Sequence, residues 1–251
     1  KPDTKNRTKI TFTPDYAFFK LTKLDSGNAL RMAKKVVDAA ACNPGVKFYI
    51  NGDRIQIKDF GDYISLYDPE YVYDDTEDWK VGISHSDGFE QISFVNSVET
   101  YQGGTHVDYA TNQVVNAIRA YIEKKHKVEI KPADIRNHIR IFISANVNRP
   151  KFSSQTKENM LSQPSTYKTT WSVPDSMIKK LIKSPIIQSV LDWVEAKARA
   201  AEMAELRKLN KDASKTKPKH VDKFDDAIEK VDRHKCVLAL CEGDSARNSV
   251  Q

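Results

Sequence analysis

The chain has 251 residues, 39% of them hydrophobic and 29% charged, with a formal net charge of +6. A chain of this length can bury two modest cores, so a globular protein with more than one domain is predicted. No apolar run approaches the roughly 20 residues of a membrane-spanning helix, and residues 1–6 are unlike a signal peptide, so we expect no membrane partner. The three cysteines, Cys42, Cys236 and Cys241, fit no zinc-site spacing, which favours a reducing compartment.

The first part of the chain predicts a strand, a helix and a hairpin. Residues 8–14 alternate apolar and polar side chains, as in a half-buried strand. Either residue of Asp25-Ser26 can cap a helix that ends at residues 43–45. Asn51-Gly52 between two apolar runs is typical of a tight β-hairpin. Residues 58–78 are acidic and aromatic with little periodicity, and we interpret them as a connection between domains.

A second unit is predicted to begin near residue 79. Alternating apolar side chains on both sides of Asp87-Gly88 predict a second hairpin. Gly103-Gly104 then precedes an apolar pattern at helical spacing over residues 105–125, and isoleucines at every second position mark a strand over residues 139–147.

The last part of the chain combines a long helix with a basic segment. A polar loop over residues 148–169 leads to two helices after Pro174, the second opening with Ser184-Pro185. Six of the thirteen residues from 207 to 219 are Lys or Arg, which suits either phosphate contacts or a solvated linker. Residues 237–240 are predicted to form a short apolar strand.

Three short motifs carry candidate chemistry. Gly103-Gly104-Thr105-His106 allows a tight turn in which Thr105 can cap the following helix, although the motif taken alone favours an ordinary glycine turn. In Ser154–Glu158, Lys157 can meet a terminal phosphate and Gln155 can donate a hydrogen bond beside it; a solvated polar loop is the alternative.

The third motif is Glu242-Gly243-Asp244, directly after the predicted strand 237–240. Carboxylates beyond the carboxyl end of a buried strand lie where α/β sheets bind ligands, and Mg²⁺ prefers such oxygens. An ordinary strand-to-loop turn with solvated acidic side chains remains the alternative.

Taken in order, these motifs resemble the ATPase subunit of type IIA DNA topoisomerases. The matching segments are residues 93–97, 103–109, 154–160 and 242–246. The resemblance implies an α/β fold: the end of a GHKL-type α/β ATPase sandwich, a ribosomal-S5-like transducer domain with a long C-terminal helix, and the first TOPRIM strand. The implied domains are residues 1–70 (GHKL), 71–210 (transducer), 211–234 (basic linker) and 235–251 (TOPRIM).

The resemblance also implies an ATP site. In this family the Gln-Thr-Lys loop, here Gln155, Thr156 and Lys157, reaches the nucleotide; Lys157 would neutralise and sense the γ-phosphate, and Gln155 would contact the same group. Thr8 matches a threonine that helps to hold adenine through water, although Arg7 stands where the family has glycine.

A metal site and a DNA contact are implied in the same way. Glu242 matches the TOPRIM glutamate that binds Mg²⁺ and acts as general acid and base. Lys124, Lys125 and Lys127 match the family's DNA-contacting lysine loop, and lysines near a helix C-terminus also offset the helix dipole. Such DNA contacts are to the backbone and hence salt-sensitive.

The implied function is ATP-dependent passage of one DNA duplex through a transient break in another. The implied partners are double-stranded DNA, a second ATPase subunit, and a DNA-cleaving subunit or downstream core that carries the tyrosine. We expect this chain alone to be inactive. The location would be the nucleus in a eukaryote or the host cytoplasm for a phage enzyme, and Arg7 and Arg149 favour a phage type.

Two alternatives remain open. The first is a non-catalytic DNA-binding or interaction module of the same fold, whose DNA affinity would be indifferent to nucleotide and to Lys157. The second is a GHKL ATPase of the mismatch-repair or chaperone type. The segment 236–246 disfavours the second alternative, because those proteins lack a following Glu-Gly-Asp-Ser-Ala strand.

Overall fold

The computed structural model describes residues 6–215, 226–227, 232–240 and 242. By internal contacts the chain divides into two units, residues 1–197 and 198–251. The domain limits expected at residues 70 and 210 stay predictions. No helix in the described ranges is long and apolar enough to cross a membrane.

The predicted strand over residues 8–14 does not form. The segment has no regular secondary structure, and the side chains of Ile10 and Phe12 are 82% and 72% exposed. A strand is stabilised by cross-strand pairs, and no strand in the described ranges pairs with this segment. Alternation of apolar and polar residues is therefore not enough by itself to form a strand.

The helix and hairpin that follow are confirmed. Helix α1 (Ser26–Cys42) begins after Asp25, whose side chain accepts the Asn28 N–H at 2.7 Å. Strands β1 (Tyr49–Ile50) and β2 (Asp53–Arg54) form an antiparallel hairpin. Its two turn residues, Asn51-Gly52, have φ of 52° and 97°, as a two-residue hairpin turn requires.

Residues 58–78 do not form the predicted connection between domains. Helix α2 (Phe60–Ser65) begins after Asp59, whose carboxylate accepts the Asp62 N–H at 2.9 Å, and strand β3 (Tyr71–Asp75) follows. Four of the six α2 residues are buried. A helix of fewer than two turns shows little periodicity in the sequence, so its burial could not be predicted from spacing.

Five strands form one mixed sheet in the spatial order β3, β4, β7, β5, β6. Strand β7 is antiparallel to β4 and parallel to β5. The predicted second hairpin is therefore wrong in its pairing, although both of its strands exist, because β7 lies between them. The bounds of these strands are β4 Trp79–His85, β5 Glu90–Val95, β6 Val98–Glu99 and β7 Ile139–Ala145.

Four helices follow β6; three of them were predicted, and the short helix over Pro132–Arg136 was not. They are α3 (Thr105–His126), α4 (Pro132–Arg136), α5 (Asp175–Leu181) and α6 (Pro185–Lys215), with 3₁₀ turns at Pro164–Thr166 and Arg233–Lys235. The predicted strand over residues 237–240 is absent: these residues have no regular structure, and Val237 is 91% exposed. No strand in the described ranges pairs with them, which is the same physical reason as at residues 8–14.

The sheet separates two apolar clusters. Alternate residues of β4, such as Val81 and Ile83, pack in the larger cluster with α3, α5 and the start of α6. The opposite face packs against the smaller cluster, which includes Ile64 of α2. Gly82 provides the room for this contact, because a Cβ there would lie 2.4 Å from Ile64 Cδ1.

A buried polar network fixes the turn between β5 and α3. The Thr100 hydroxyl lies 2.6 Å from Ser93 Oγ and 3.1 Å from His106 Nε2. All three residues are at most 1% exposed. Burial lowers the pKa of His106 to about 3, so the imidazole is neutral in the folded protein.

We predict that the neutral His106 makes folding stability depend on pH. Unfolding returns the pKa to its ordinary 6.5, so the unfolded state binds a proton that the native state excludes. The free energy of unfolding should therefore fall with decreasing pH, by up to about 1.4 kcal/mol per unit between about pH 6.5 and pH 5. Urea unfolding of wild type and His106→Gln across that window measures this slope, which should be smaller in the variant; equal slopes would exclude His106.

Candidate functional site

The loop that carries Lys157 leaves the sheet at a fixed point. There the Asn96 side chain forms the two hydrogen bonds that the backbone of a neighbouring strand would otherwise form with Val147. Its amide donates to Val147 O at 2.9 Å, and its Oδ1 accepts the Val147 N–H at 2.8 Å. Asn96 itself has a φ of 51°, a conformation that asparagine tolerates better than most residues. The motif 93–97 therefore sets where the loop begins.

The loop returns to the start of α3, where it pairs with Gly103-Gly104. The Met160 N–H donates to Gly103 O at 3.1 Å, and the Thr105 N–H donates to Met160 O at 3.0 Å. A Cβ on Gly104 would lie 2.3 Å from Met160 O, and the φ of Gly104 is +134°. Two motifs that are some fifty residues apart in the sequence are thus joined through a contact that only glycine permits.

Thr105 does not cap α3 as predicted. The N-cap is Gly104, which has no side chain, and Thr105 is already the first helical residue. Its hydroxyl instead donates to Ser162 O and lies 2.9 Å from the Tyr167 hydroxyl. Thr105 therefore stabilises the returning loop, because the backbone pairing at Gly104 brings that loop within reach of its hydroxyl.

The residues Gln155, Thr156 and Lys157 lie at the exposed tip of the loop. The Lys157 N–H donates to Ser154 O at 3.1 Å, and the Ser154 and Thr156 hydroxyls are 2.7 Å apart. Lys157 has a φ of 60°, and its ammonium group forms no ion pair with the part of the chain that the structure describes. A cation next to an amide, both free in solvent, can bind an anion such as phosphate.

The residue after Lys157 is held by the turn that precedes α3. The Gln102 N–H donates to Glu158 O at 3.0 Å, and the Gln102 side-chain amide donates to Glu158 Oε2 at 2.9 Å. No pattern in the sequence indicated this contact, because glutamine and glutamate are each common at protein surfaces.

The predicted DNA-contacting lysines lie at the opposite end of α3. Lys124 and Lys125 occupy its last turn, and Lys127 follows it in a left-handed conformation. All three are exposed, and Lys125 Nζ lies 2.8 Å from the Tyr121 hydroxyl. A helix of 22 residues spans roughly 33 Å. The loop is tied to the first residues of α3, and the lysines lie at its last residues, so the helix separates them.

Thr8 and Glu242 both lie outside this loop in the sequence. Thr8 is exposed in the segment without regular structure, and its side chain forms no hydrogen bond with the described residues. Glu242 is exposed and belongs to the second unit. Its expected neighbours Gly243 and Asp244 lie outside the described residues.

The described residues do not by themselves fit a magnesium site. Among them, no group of three or more His, Cys, Asp and Glu side chains could hold a metal ion. A hard cation such as Mg²⁺ requires several oxygen ligands, and Glu242 alone supplies one carboxylate. The Mg²⁺ predicted for Glu242 therefore stays a prediction.

Comparison with known proteins identifies the family. A family model described as DNA gyrase B matches residues 46–210. The chain therefore belongs to the type IIA DNA topoisomerase family and corresponds to part of its ATPase region. It is 37% identical to DNA topoisomerase 2 of Arabidopsis thaliana over 260 residues, which cover 97% of this chain and 17% of the relative. It is 36% identical to DNA topoisomerase 2-beta of Homo sapiens, covering 98% of this chain and 16% of the relative.

Solved structures confirm the predicted α/β fold class. The ATPase region of Saccharomyces cerevisiae topoisomerase II superposes with a TM-score of 0.68 at 31% identity, covering 72% of this chain and 48% of that one. The ATPase and transducer domains of DNA topoisomerase II from Balamuthia mandrillaris give a TM-score of 0.63 at 34% identity, covering 67% and 44%.

The chain spans about a sixth of the length of the curated relatives that it matches, 17% and 16% in the two cases given. Those relatives are eukaryotic proteins. The phage-type origin predicted from Arg7 and Arg149 stays a prediction, because likeness to eukaryotic enzymes does not exclude it.

We predict that Gly104→Ala destabilises the protein far more than Gly88→Ala. Both glycines have a positive φ, +134° and +112°, but a Cβ at Gly88 meets nothing within 4 Å, whereas at Gly104 it meets the Met160 backbone. Gly88→Ala should cost about 1 kcal/mol of unfolding free energy and Gly104→Ala about 3 kcal/mol or more. Denaturant unfolding of the two variants measures the difference, and equal losses would show that the contact with Met160 is not tight.

Proposed function

We propose that this chain is part of an ATP-dependent type II DNA topoisomerase, in which it senses the γ-phosphate of ATP and couples it to the DNA gate. The observation that carries the proposal is the exposed Lys157, which forms no ion pair with the described residues, at the tip of a loop that backbone hydrogen bonds tie to the start of α3. Family membership and the ATPase-region structures named above support the nucleotide as the anion.

The proposed role of Lys157 follows from simple electrostatics. ATP supplies a γ-phosphate whose negative charge attracts a positioned cation and which is released on hydrolysis. Lys157 would hold this phosphate as a point charge, and Gln155 would donate a hydrogen bond beside it. When the phosphate leaves, Lys157 loses its partner, and the loop can relax. Thr156, between Gln155 and Lys157, would belong to the same nucleotide-binding loop, and Thr8 would help to hold the adenine.

Double-stranded DNA is the second proposed ligand. Lys124, Lys125 and Lys127 extend from the far end of α3 and are exposed to solvent. Lysines at such a position neutralise backbone phosphates without reading sequence. The complete enzyme would also need a second ATPase subunit and a cleavage core with the tyrosine, and we expect it in the nucleus or, for a phage, in the host cytoplasm.

We predict that Lys157→Ala in the complete enzyme reduces DNA-dependent ATP turnover at least about tenfold, because the γ-phosphate loses its charged partner. Mg²⁺-dependent DNA cleavage should persist, since it does not use this loop. Steady-state ATPase and decatenation assays measure the first effect, and a cleavage assay measures the second.

Lys151→Ala is the matched control, because Lys151 is another exposed lysine of the same loop. It should leave turnover near that of wild type, whereas Lys157→Arg should retain part of it. Unchanged turnover in Lys157→Ala, together with DNA affinity that is indifferent to nucleotide, would instead support a non-catalytic DNA-binding module.

We predict that replacing Lys124, Lys125 and Lys127 together by alanine weakens DNA binding and its salt dependence. Each lost phosphate contact should reduce the slope of log affinity against log salt by about 0.9. Lys179, Lys180 and Lys183 provide a control that removes the same charge from the region of α5. Fluorescence anisotropy over a salt series measures both slopes; equal slopes in the two variants would show that the end of α3 is not a specific contact.

A further inference from the structure

Glu158 creates an electrostatic problem for the proposed phosphate site. It directly follows Lys157, so its carboxylate can either neutralise the ammonium or repel an approaching phosphate. In the structure it does not pair with the ammonium: Lys157 forms no ion pair with the described residues, and the Glu158 carboxylate accepts a hydrogen bond from the Gln102 amide at 2.9 Å.

The fold holds this arrangement from both sides of the contact. The Gln102 N–H donates to Glu158 O at 3.0 Å, so the two backbones are already fixed. Next along both segments, Gly104 pairs with Met160 in a parallel bridge. Because the backbones are already paired, the Gln102 side chain is in position to bind the carboxylate. Hydrogen bonds to a charged acceptor are stronger than those between neutral groups.

We propose that Gln102 is a positioning residue that holds the Glu158 carboxylate away from Lys157 and so keeps the ammonium available for phosphate. The proposal rests on the function proposed above for Lys157. This role differs from simple anchoring of the loop. A released Glu158 carboxylate would impair phosphate binding through its negative charge, whereas an anchor acts only through the contact itself.

The test is a pair of variants of the complete enzyme. Gln102→Ala should raise the KM for ATP in DNA-dependent turnover roughly threefold to tenfold, because the released carboxylate competes for Lys157. Adding Glu158→Gln to that variant should return the KM towards wild type, because the neutral amide cannot compete. A role limited to anchoring predicts the opposite, since the double variant still lacks the original contact.

Gln188→Ala is the matched control. Gln188 donates to Asp192 Oδ1 at 2.7 Å on the exposed side of α6, which is the same chemistry away from the loop. It should leave the KM unchanged. Gln102→Glu supplies a second, nearly isosteric variant that repels Glu158 outright, and it should raise the KM more than Gln102→Ala does. Melting temperatures of all variants establish that they are folded.

The failures of the two proposals are distinguishable. If Lys157→Ala leaves ATP turnover unchanged, the proposed function itself fails. If Lys157→Ala impairs turnover but Gln102→Ala and Gln102→Glu keep the wild-type KM, only the role of Gln102 is overturned. A Gln102→Ala defect that Glu158→Gln does not reverse also overturns it, because the charge of Glu158 is then not the cause.

Discussion

The close approach of two backbones at Gly104 and Met160 is the constraint on which the candidate site depends. A polar loop with little secondary structure and few buried side chains is only weakly held in one position by its own contacts. The paired N–H and carbonyl groups hold it in place, and they require that no Cβ stand between them. The loop tip is therefore exposed to solvent, while backbone hydrogen bonds fix its base.

The order of strands in the sheet also helps to fix the position of the loop. With β7 inserted between β4 and β5, the chain leaves the middle of the sheet rather than an edge. Asn96, at the end of the parallel neighbour β5, then reaches the first loop backbone directly. Both ends of the loop are thus hydrogen-bonded to residues at or just before the start of α3, so the base of the loop and the start of the helix are fixed to each other.

Local signals in the sequence predicted local structure well. The Asp25 cap, the Asn51-Gly52 turn and the spacing within α3 each depend on residues a few positions apart, and all three are confirmed. The pairing of β4 with β7 depends on residues about sixty positions apart, which no local pattern encodes. The two apolar segments near the ends of the chain fail for a related reason, since a strand exists only with a partner.

The same distinction applies to the site. The sequence identified the polar loop and the exposed Lys157, because a motif of consecutive residues carries them. It could not identify the contact between Gln102 and Glu158, which exists only after the backbones have paired. The interpretation of Thr105 as a helix cap failed in the same way, because a tertiary acceptor competes with the local one.

The left-handed backbone at Lys157 limits which amino acids could ever replace it. Valine, isoleucine and threonine are disfavoured at this φ by their branched Cβ, while glycine and asparagine adopt it readily but carry no charge. For the role proposed above, a replacement must adopt this backbone conformation and supply a cation, and arginine comes nearest to both. A substitution at Lys157 can therefore fail for either of two independent physical reasons, strain of the backbone or loss of the positive charge.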